Sequence, residues 1–302
     1  NLLSAPAELT RLRDLLSVHF DDIRIVAHLD EQARLLAAHY AFAVTEGRRH
    51  PLSRELSLAE GGDWWDATRA MAATEDAPDV GLFRDIQAPP FWLDYAALHA
   101  HWARVFGAEN VSFRPLDAAF LASAEGAAEL DALLALHRPL GPVKPGRVIG
   151  PIPAPWLERM RRFNEVLIRY LQVKDLSCPR STWSQMLQAL EVDGPPLQPG
   201  CLAPISERFA PDNAALISRF PALQDALTPD APLESWTEPD PLFGFRATQY
   251  LTAFSHRIRA TATPLTQKRA DAEAAKRSAE KFAAMLRAED CEAQSRLLTR
   301  VK

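Results

Sequence analysis

The stretch IRIVAHLDEQARLLAAHYAFAVTEG, from Ile23 to Gly47, decides the fold class of this chain. Its first residues, Ile23–Ala27, are largely apolar and include β-branched side chains, which predicts a short buried strand. Residues Gln32–Gly47 predict a helix that ends at the glycine. A turn that joins a strand to a helix is where α/β proteins commonly bind an anionic ligand. Here that turn reads LDEQ, with two carboxylates and no cation.

A second strand follows one helix after the first. LDYAALHAHWARVFG (Leu93–Gly107) has helical spacing of apolar residues, and Val111–Leu116 is a short strand. Strands that alternate with helices predict a parallel sheet flanked by helices, which is the α/β class. Further helices are predicted at Leu9–His19, Ala124–His137, Pro155–Tyr170 and Thr248–Thr261. The stretch Leu265–Lys302 is rich in Ala, Glu, Lys and Arg and has no proline, which predicts one long surface helix or an arm that reaches for a partner.

Composition excludes several classes of protein. The formal net charge of −5 argues against a general nucleic-acid or anionic-membrane surface, which would show a basic excess. No apolar run approaches the roughly 20 residues of a membrane-spanning helix. Cys178, Cys201 and Cys291 are far apart, so neither a disulfide framework nor a zinc site is expected. No histidine pair has metal-binding spacing, so we predict no metal, and we expect a cytoplasmic setting.

Three segments together resemble a known family. The best is LDYAALHAHWARVFGAENVSFRPL (Leu93–Leu116), and it is supported by the strand–turn–helix at Ile23–Val44 and by LAPISERFAPDNAALISRFPAL (Leu202–Leu223). In this order they resemble the bacterial P-loop sulfotransferase-like proteins of carbohydrate type. The resemblance covers roughly residues 1–245 and implies an α/β domain of P-loop NTPase type. Residues 246–302 would then form a helical C-terminal extension.

The resemblance implies a particular reaction and a particular donor site. Enzymes of this family transfer a sulfuryl group from 3′-phosphoadenosine 5′-phosphosulfate to a hydroxyl or amine, often on a glycan. A glycine-rich loop with a lysine holds the 5′-phosphosulfate. An arginine and a serine on the strand–turn–helix hold the 3′-phosphate.

This sequence departs from the family pattern at both places. None of its 12 glycines lies in a phosphate loop, and the expected position of that loop precedes Asn1, so we expect that the first βα unit is missing. The family's arginine pair corresponds to Asp30 and Glu31, and its serine to Ala38. Because carboxylates repel the phosphate that guanidinium groups bind, we expect the affinity to fall by a factor of ~100 or more. Arg24 and Arg34 are the candidate replacements.

Other residues near this turn have a functional and a structural interpretation. His28 is the candidate catalytic residue because strand ends face the ligand crevice, although packing at the strand end also explains it. The Asp30–Glu31 pair also suits a helix N-terminus electrostatically. Arg48 and Arg49, in EGRRHPLSR, are candidates for binding a sulfate, phosphate or acidic sugar, or they complement the preceding helix dipole.

The tryptophans between the two strands are candidates for contact with a glycan acceptor. Trp64, Trp65 and Trp92 lie where the resemblance implies the acceptor, and aromatic rings stack on sugars. The alternative is that these rings form part of the core.

Three functional hypotheses remain open. The first is a sulfotransferase-like protein that is degenerate or truncated and cannot bind the donor nucleotide. The second is an active sulfotransferase acting on a glycan, with its phosphate loop upstream of residue 1. The third is a non-enzymatic binding module that engages a protein partner through the C-terminal helix.

Overall fold

The computed structural model describes residues 5–74, 86–117 and 150–267, with a few single positions between 123 and 126 and between 270 and 281. Within these ranges the chain forms the following helices and strands: α1 (Pro6–Ser17), β1 (Ile25–Leu29), α2 (Gln32–Thr45), α3 (Ser53–Ala59), α4 (Trp64–Thr74), α5 (Tyr95–Phe106), β2 (Val111–Pro115), α6 (Ala154–Val173), β3 (Leu176–Ser177), α7 (Arg180–Gln188), α8 (Ala203–Arg219), α9 (Ala247–Thr261) and β4 (Thr263–Pro264). Short 3-10 turns occur at Phe91–Leu93, Ala108–Asn110, Pro199–Leu202 and Pro221–Leu223.

Strands β1 and β2 form a small parallel sheet. Ile25 is paired with Val111 at one end and Leu29 with Pro115 at the other, so both strands end at the same edge. The predicted α/β class is confirmed as a mixed α/β fold with this two-stranded parallel sheet, whereas the P-loop NTPase type stays a prediction. Strand β1 begins two residues later than predicted, because its extent is set by pairing with β2. A separate antiparallel pair joins β3 to β4.

Helix α2 connects the sheet to the rest of the molecule. It begins where the Glu31 side chain accepts hydrogen bonds from the backbone at its N-terminus. One face carries Leu36, Tyr40 and Val44 at a spacing of four residues, and each of these side chains is almost completely buried. The helix ends before Gly47, whose φ of +105° favours glycine.

Two apolar clusters form the interior. The first core lies around α2, α6 and α7 and includes Tyr40, Leu157, Phe163, Leu167, Trp183, Met186 and Phe209. The second core lies against the sheet and α5 and includes Leu9, Leu29, Trp65, Tyr95, Trp102, Val111 and Phe113. Leu35 and Trp92 pack against both clusters, so the two cores adjoin along α2.

The first part of the predicted C-terminal extension packs into the first core. Helix α9 lies against α6. The rings of Phe163 and Phe254 meet edge to face there, with their centroids 5.6 Å apart, and Ile258 is completely buried. The predicted helix Ala124–His137 and most of the predicted helix Leu265–Lys302 fall outside the described residues. In the described part of the chain, no helix is long and apolar enough to cross a bilayer.

Candidate functional site

The candidate site is the corner where β1 passes into α2, at the edge where both parallel strands end. We call residues Asp30–Arg34 the β1–α2 corner. The Glu31 carboxylate is completely buried and accepts hydrogen bonds from the backbone N–H groups of Ala33, at 2.8 Å, and Arg34, at 3.2 Å. A bound phosphate would use backbone donors of this kind at a helix N-terminus. In this chain an internal carboxylate already occupies them.

Arg34, a candidate replacement cation, is held by contacts within the chain. Its Nε donates to Asp30 Oδ1 at 2.8 Å, and Nη1 donates to Asp230 Oδ1 at 2.8 Å. It also donates to the backbone carbonyls of Ala226, at 2.6 Å, and Thr228, at 3.0 Å. Burial alone would lower the pKa of Arg34, but the two carboxylates raise it above its ordinary value. The guanidinium therefore anchors the segment around residues 226–230 to the corner.

Arg24 and His28 are placed differently along β1. Arg24 precedes the strand and forms an ion pair with Asp22 at 2.7 Å, with its side chain 65% exposed. At about 3.3 Å per residue it lies roughly 17 Å from the end of β1, so the structure does not bring it to the corner. His28 is half-buried and pairs in register with Arg114, one residue before the strand ends.

Ala38 lies about 10 Å along the α2 axis from Glu31, since seven residues separate them. It is exposed and lines an apolar cleft of about 600 Å³ together with Phe42, Ile152 and Leu197. The structure therefore places it away from the carboxylates of the corner.

Arg48 is part of the buried polar interior. Its side chain and that of Glu55 are both completely buried, with Nη2 2.7 Å from Oε1. Arg48 also donates to the carbonyl of His50 at 3.0 Å and to that of Pro51 at 3.4 Å, and it lies 5.1 Å from the centre of the Tyr40 ring. These contacts shape the loop after α2 and leave no surface for a ligand on this side chain.

The Arg49 side chain lies at the surface, whereas that of Arg48 lies in the interior. Arg49 is half-buried and lines an open cleft of about 480 Å³ between the loop after α2 and helix α6. The basic cluster of the sequence is thus divided between the interior and the cleft.

The tryptophans have packing roles. Trp64 is 1% exposed and donates its indole N–H to the carbonyl of Pro90 at 3.0 Å. Trp65 is 8% exposed and meets the ring of Phe91 edge to face. Trp92 is half-buried between the two cores. The faces of Trp64 and Trp65 are therefore covered by the protein and do not form a platform for a sugar.

A buried carboxyl pair next to the cleft was not singled out from the sequence. Glu158 is 1% exposed and lies 2.6 Å from Arg161, which is also 3.7 Å from Glu238. Burial alone would raise the pKa of Glu158, but hydrogen bonds from Arg161 and Arg162 lower it. Burial and the neighbouring Glu158 raise the pKa of Glu238. The spacing Glu158–Arg161–Arg162 was a helical ion-pair signal, whereas no local pattern indicates Glu238.

Comparison with known proteins adds no relative. No family model, no curated protein and no solved structure matches this chain. Within the ranges that the structure describes, no group of three or more histidine, cysteine, aspartate or glutamate side chains is arranged to hold a metal ion. A functional proposal for this chain therefore rests on its own geometry and on the resemblance in its sequence.

Proposed function

We propose that this chain is a sulfotransferase-like protein whose β1–α2 corner does not bind the donor nucleotide, and that it acts as a binding module. The observation that carries the proposal is the buried Glu31 carboxylate, which accepts hydrogen bonds from the backbone N–H groups of Ala33 and Arg34. A phosphate at this place would have to displace a fixed negative charge. The family resemblance of the sequence supplies the identity of the donor.

The engagement of Arg34 supports the same proposal. Its guanidinium lies between Asp30 and Asp230, so a phosphate would have to compete with two carboxylates that are already in contact. Charge-assisted hydrogen bonds of this type contribute about 1.5–3 kcal/mol each, and a ligand gains only the difference.

Calorimetry with 3′-phosphoadenosine 5′-phosphate and the full chain tests the proposal. We expect no binding at millimolar nucleotide, and micromolar binding would overturn it. The triple variant Asp30→Arg, Glu31→Arg, Ala38→Ser should bind the nucleotide more tightly, because it restores the residue types that the family resemblance implies. The control is the double variant Asp21→Arg, Asp22→Arg, which makes the same charge change on exposed residues before β1. Equal affinity of the triple and control variants would show that the corner is not the nucleotide site.

The active-enzyme alternative is tested separately. Incubating the full chain with 3′-phosphoadenosine 5′-phosphosulfate and a mixture of glycans should give no sulfated product above the level without protein. Sulfated glycan that depends on the protein would contradict the proposal, and mass spectrometry detects it directly.

A further inference from the structure

The open cleft at the far end of α2 has the character of a binding site. One wall is the loop after α2, and the other is one face of α6, whose lining residues recur at helical spacing. The lining residues are Arg49, His50, Pro51, Arg161, Glu165, Arg169 and Gln172, and we call this space the arginine cleft. Its volume is about 480 Å³. Helix α2 has 14 residues, so the cleft lies about 20 Å from the β1–α2 corner.

The lining is basic in a chain that is acidic overall. Three arginines and one histidine line the cleft together with one carboxylate, Glu165, whereas the whole chain has a net charge of −5. Arg161 is balanced by Glu158, at 2.6 Å, and it also lies 3.7 Å from Glu238 and 3.9 Å from Glu165. Arg169 is exposed, and within the described ranges its side chain makes no ion pair or hydrogen bond. The cleft therefore presents positive charge that the protein has not already neutralised, with Arg169 as its principal source.

The walls of the arginine cleft are fixed in position. Arg161 donates from α6 to the carbonyl of Arg49 at 3.2 Å, so it ties one wall to the other. On the loop, Gln87 accepts from the backbone N–H of Arg49 at 3.1 Å and donates to the carbonyl of Gly47 at 2.9 Å. A preorganised site of this kind loses less conformational entropy when a ligand binds.

The backbone carbonyl groups at the C-terminal end of α2 do not repel an anion in the cleft, because side chains already donate hydrogen bonds to them. Asn164 donates to the carbonyls of Val44, at 2.8 Å, and Arg48, at 2.9 Å, while Gln87 covers that of Gly47. These contacts satisfy acceptors that a helix C-terminus would otherwise turn towards the ligand.

The composition of the lining selects a class of ligand. Guanidinium groups bind sulfate and carboxylate through charged hydrogen bonds. Glu165 and Gln172 accept hydrogen bonds from hydroxyl groups, and Pro51 offers apolar surface to a ring of C–H groups. The lining includes no phenylalanine, tyrosine or tryptophan, so a nucleobase would have only the small His50 imidazole to stack on. A molecule with one acidic group and several hydroxyl groups matches this combination.

We propose that the arginine cleft binds an acidic saccharide, with its sulfate or carboxylate on Arg169 and Arg49 and its hydroxyl groups on Glu165 and Gln172. The inference goes beyond the proposed function, because the cleft is distant from the nucleotide corner. It holds whether or not the chain binds the donor.

Calorimetry on the full chain with four probes tests this inference. The probes are N-acetylglucosamine 6-sulfate, glucuronic acid, neutral N-acetylglucosamine and inorganic sulfate. We expect one or both acidic sugars to bind at least 10-fold more tightly than the neutral sugar and than inorganic sulfate. Comparing the sulfated sugar with glucuronic acid shows whether the cleft prefers a sulfate or a carboxylate. Equal binding of acidic and neutral sugars, no binding of either acidic sugar, or binding of sulfate as tight as that of both acidic sugars would overturn the inference.

Matched variants locate the site. Arg169→Met should weaken binding of the preferred acidic sugar by about 10-fold or more, since a hydrogen bond to a charged group is lost. Arg259→Met is the control, because it removes the same charge from an exposed position on α9. Both variants should keep the wild-type melting temperature. If Arg169→Met binds like the wild type, or if the control weakens binding equally, the cleft is not the site. Adding 3′-phosphoadenosine 5′-phosphate to the titration should leave the affinity for the acidic sugar unchanged. Competition between the nucleotide and the sugar would contradict the separation of the two sites.

Discussion

Replacing Glu55 with glutamine removes one charge from the buried pair that shapes the loop after α2. Both side chains of the Arg48–Glu55 pair are completely buried, with 2.7 Å between nitrogen and oxygen. Burial raises the pKa of Glu55 above its ordinary value, and the adjacent Arg48 guanidinium opposes that shift. Coulomb's law with an effective dielectric constant of about 20 gives an attraction of about 6 kcal/mol at that distance.

Glu55→Gln should lower the free energy of unfolding by less than this attraction, but by a large share of the total. Breaking a buried ion pair on one side typically costs about 3–5 kcal/mol, because the remaining charge stays buried. Small proteins are stable by about 5–15 kcal/mol, so Glu55→Gln should lower the urea midpoint by about 1–2 M. Unfolding followed by circular dichroism measures the shift.

Two further variants make the result interpretable. Glu60→Gln applies the same chemical change to an exposed residue just after α3, and it should leave the midpoint unchanged. The double variant Arg48→Met, Glu55→Leu replaces the pair with apolar side chains and should recover at least half of the loss. Our reasoning is refuted if Glu55→Gln unfolds at the wild-type midpoint, or if the double variant is less stable than the single one.

Three other predictions concern buried polar groups. Burial raises the pKa of Glu238, so the ionised carboxylate lowers the stability of the folded protein above that pKa. Glu238→Gln should therefore raise the melting temperature at pH 8 but not at pH 4. An equal gain at the two pH values would contradict this prediction. Burial raises the pKa of the Cys178 thiol to about 11, so maleimide at pH 8 should label the half-buried Cys201 before Cys178, as peptide mass spectrometry would show. Asn213→Ala leaves the buried amide of Gln32 without its two hydrogen bonds at 2.8 Å and should cost about 1–3 kcal/mol in denaturant unfolding; a neutral effect would count against the pairing.

The sequence predicted those elements whose limits are set locally. Helix α2 begins at the predicted Gln32 because the capping acid directly precedes it, and its end is set near Gly47 by a positive φ. Strand β1 was predicted two residues too early, since register with β2 rather than local composition defines it. Helix α7 was not predicted, because its nine residues are too few for periodicity to distinguish it from a loop.

The candidate site was less predictable because distant residues complete it. The acidic turn was visible in the sequence, but the second carboxylate on Arg34 comes from Asp230, 196 residues later. Arg48 and Arg49 are adjacent and chemically identical, and only the packing of α3 and α6 sends one into the interior and the other into a cleft. No pattern within a short window contains that information.

The docking of α9 against α6 determines how this chain can be divided. Phe254 covers Phe163, and Ile258 is completely buried between its neighbours. A fragment that stops at residue 245 would expose the apolar surface of α6 around Phe163 and should self-associate through that surface. A shorter version that keeps α6 covered therefore has to extend through Thr261.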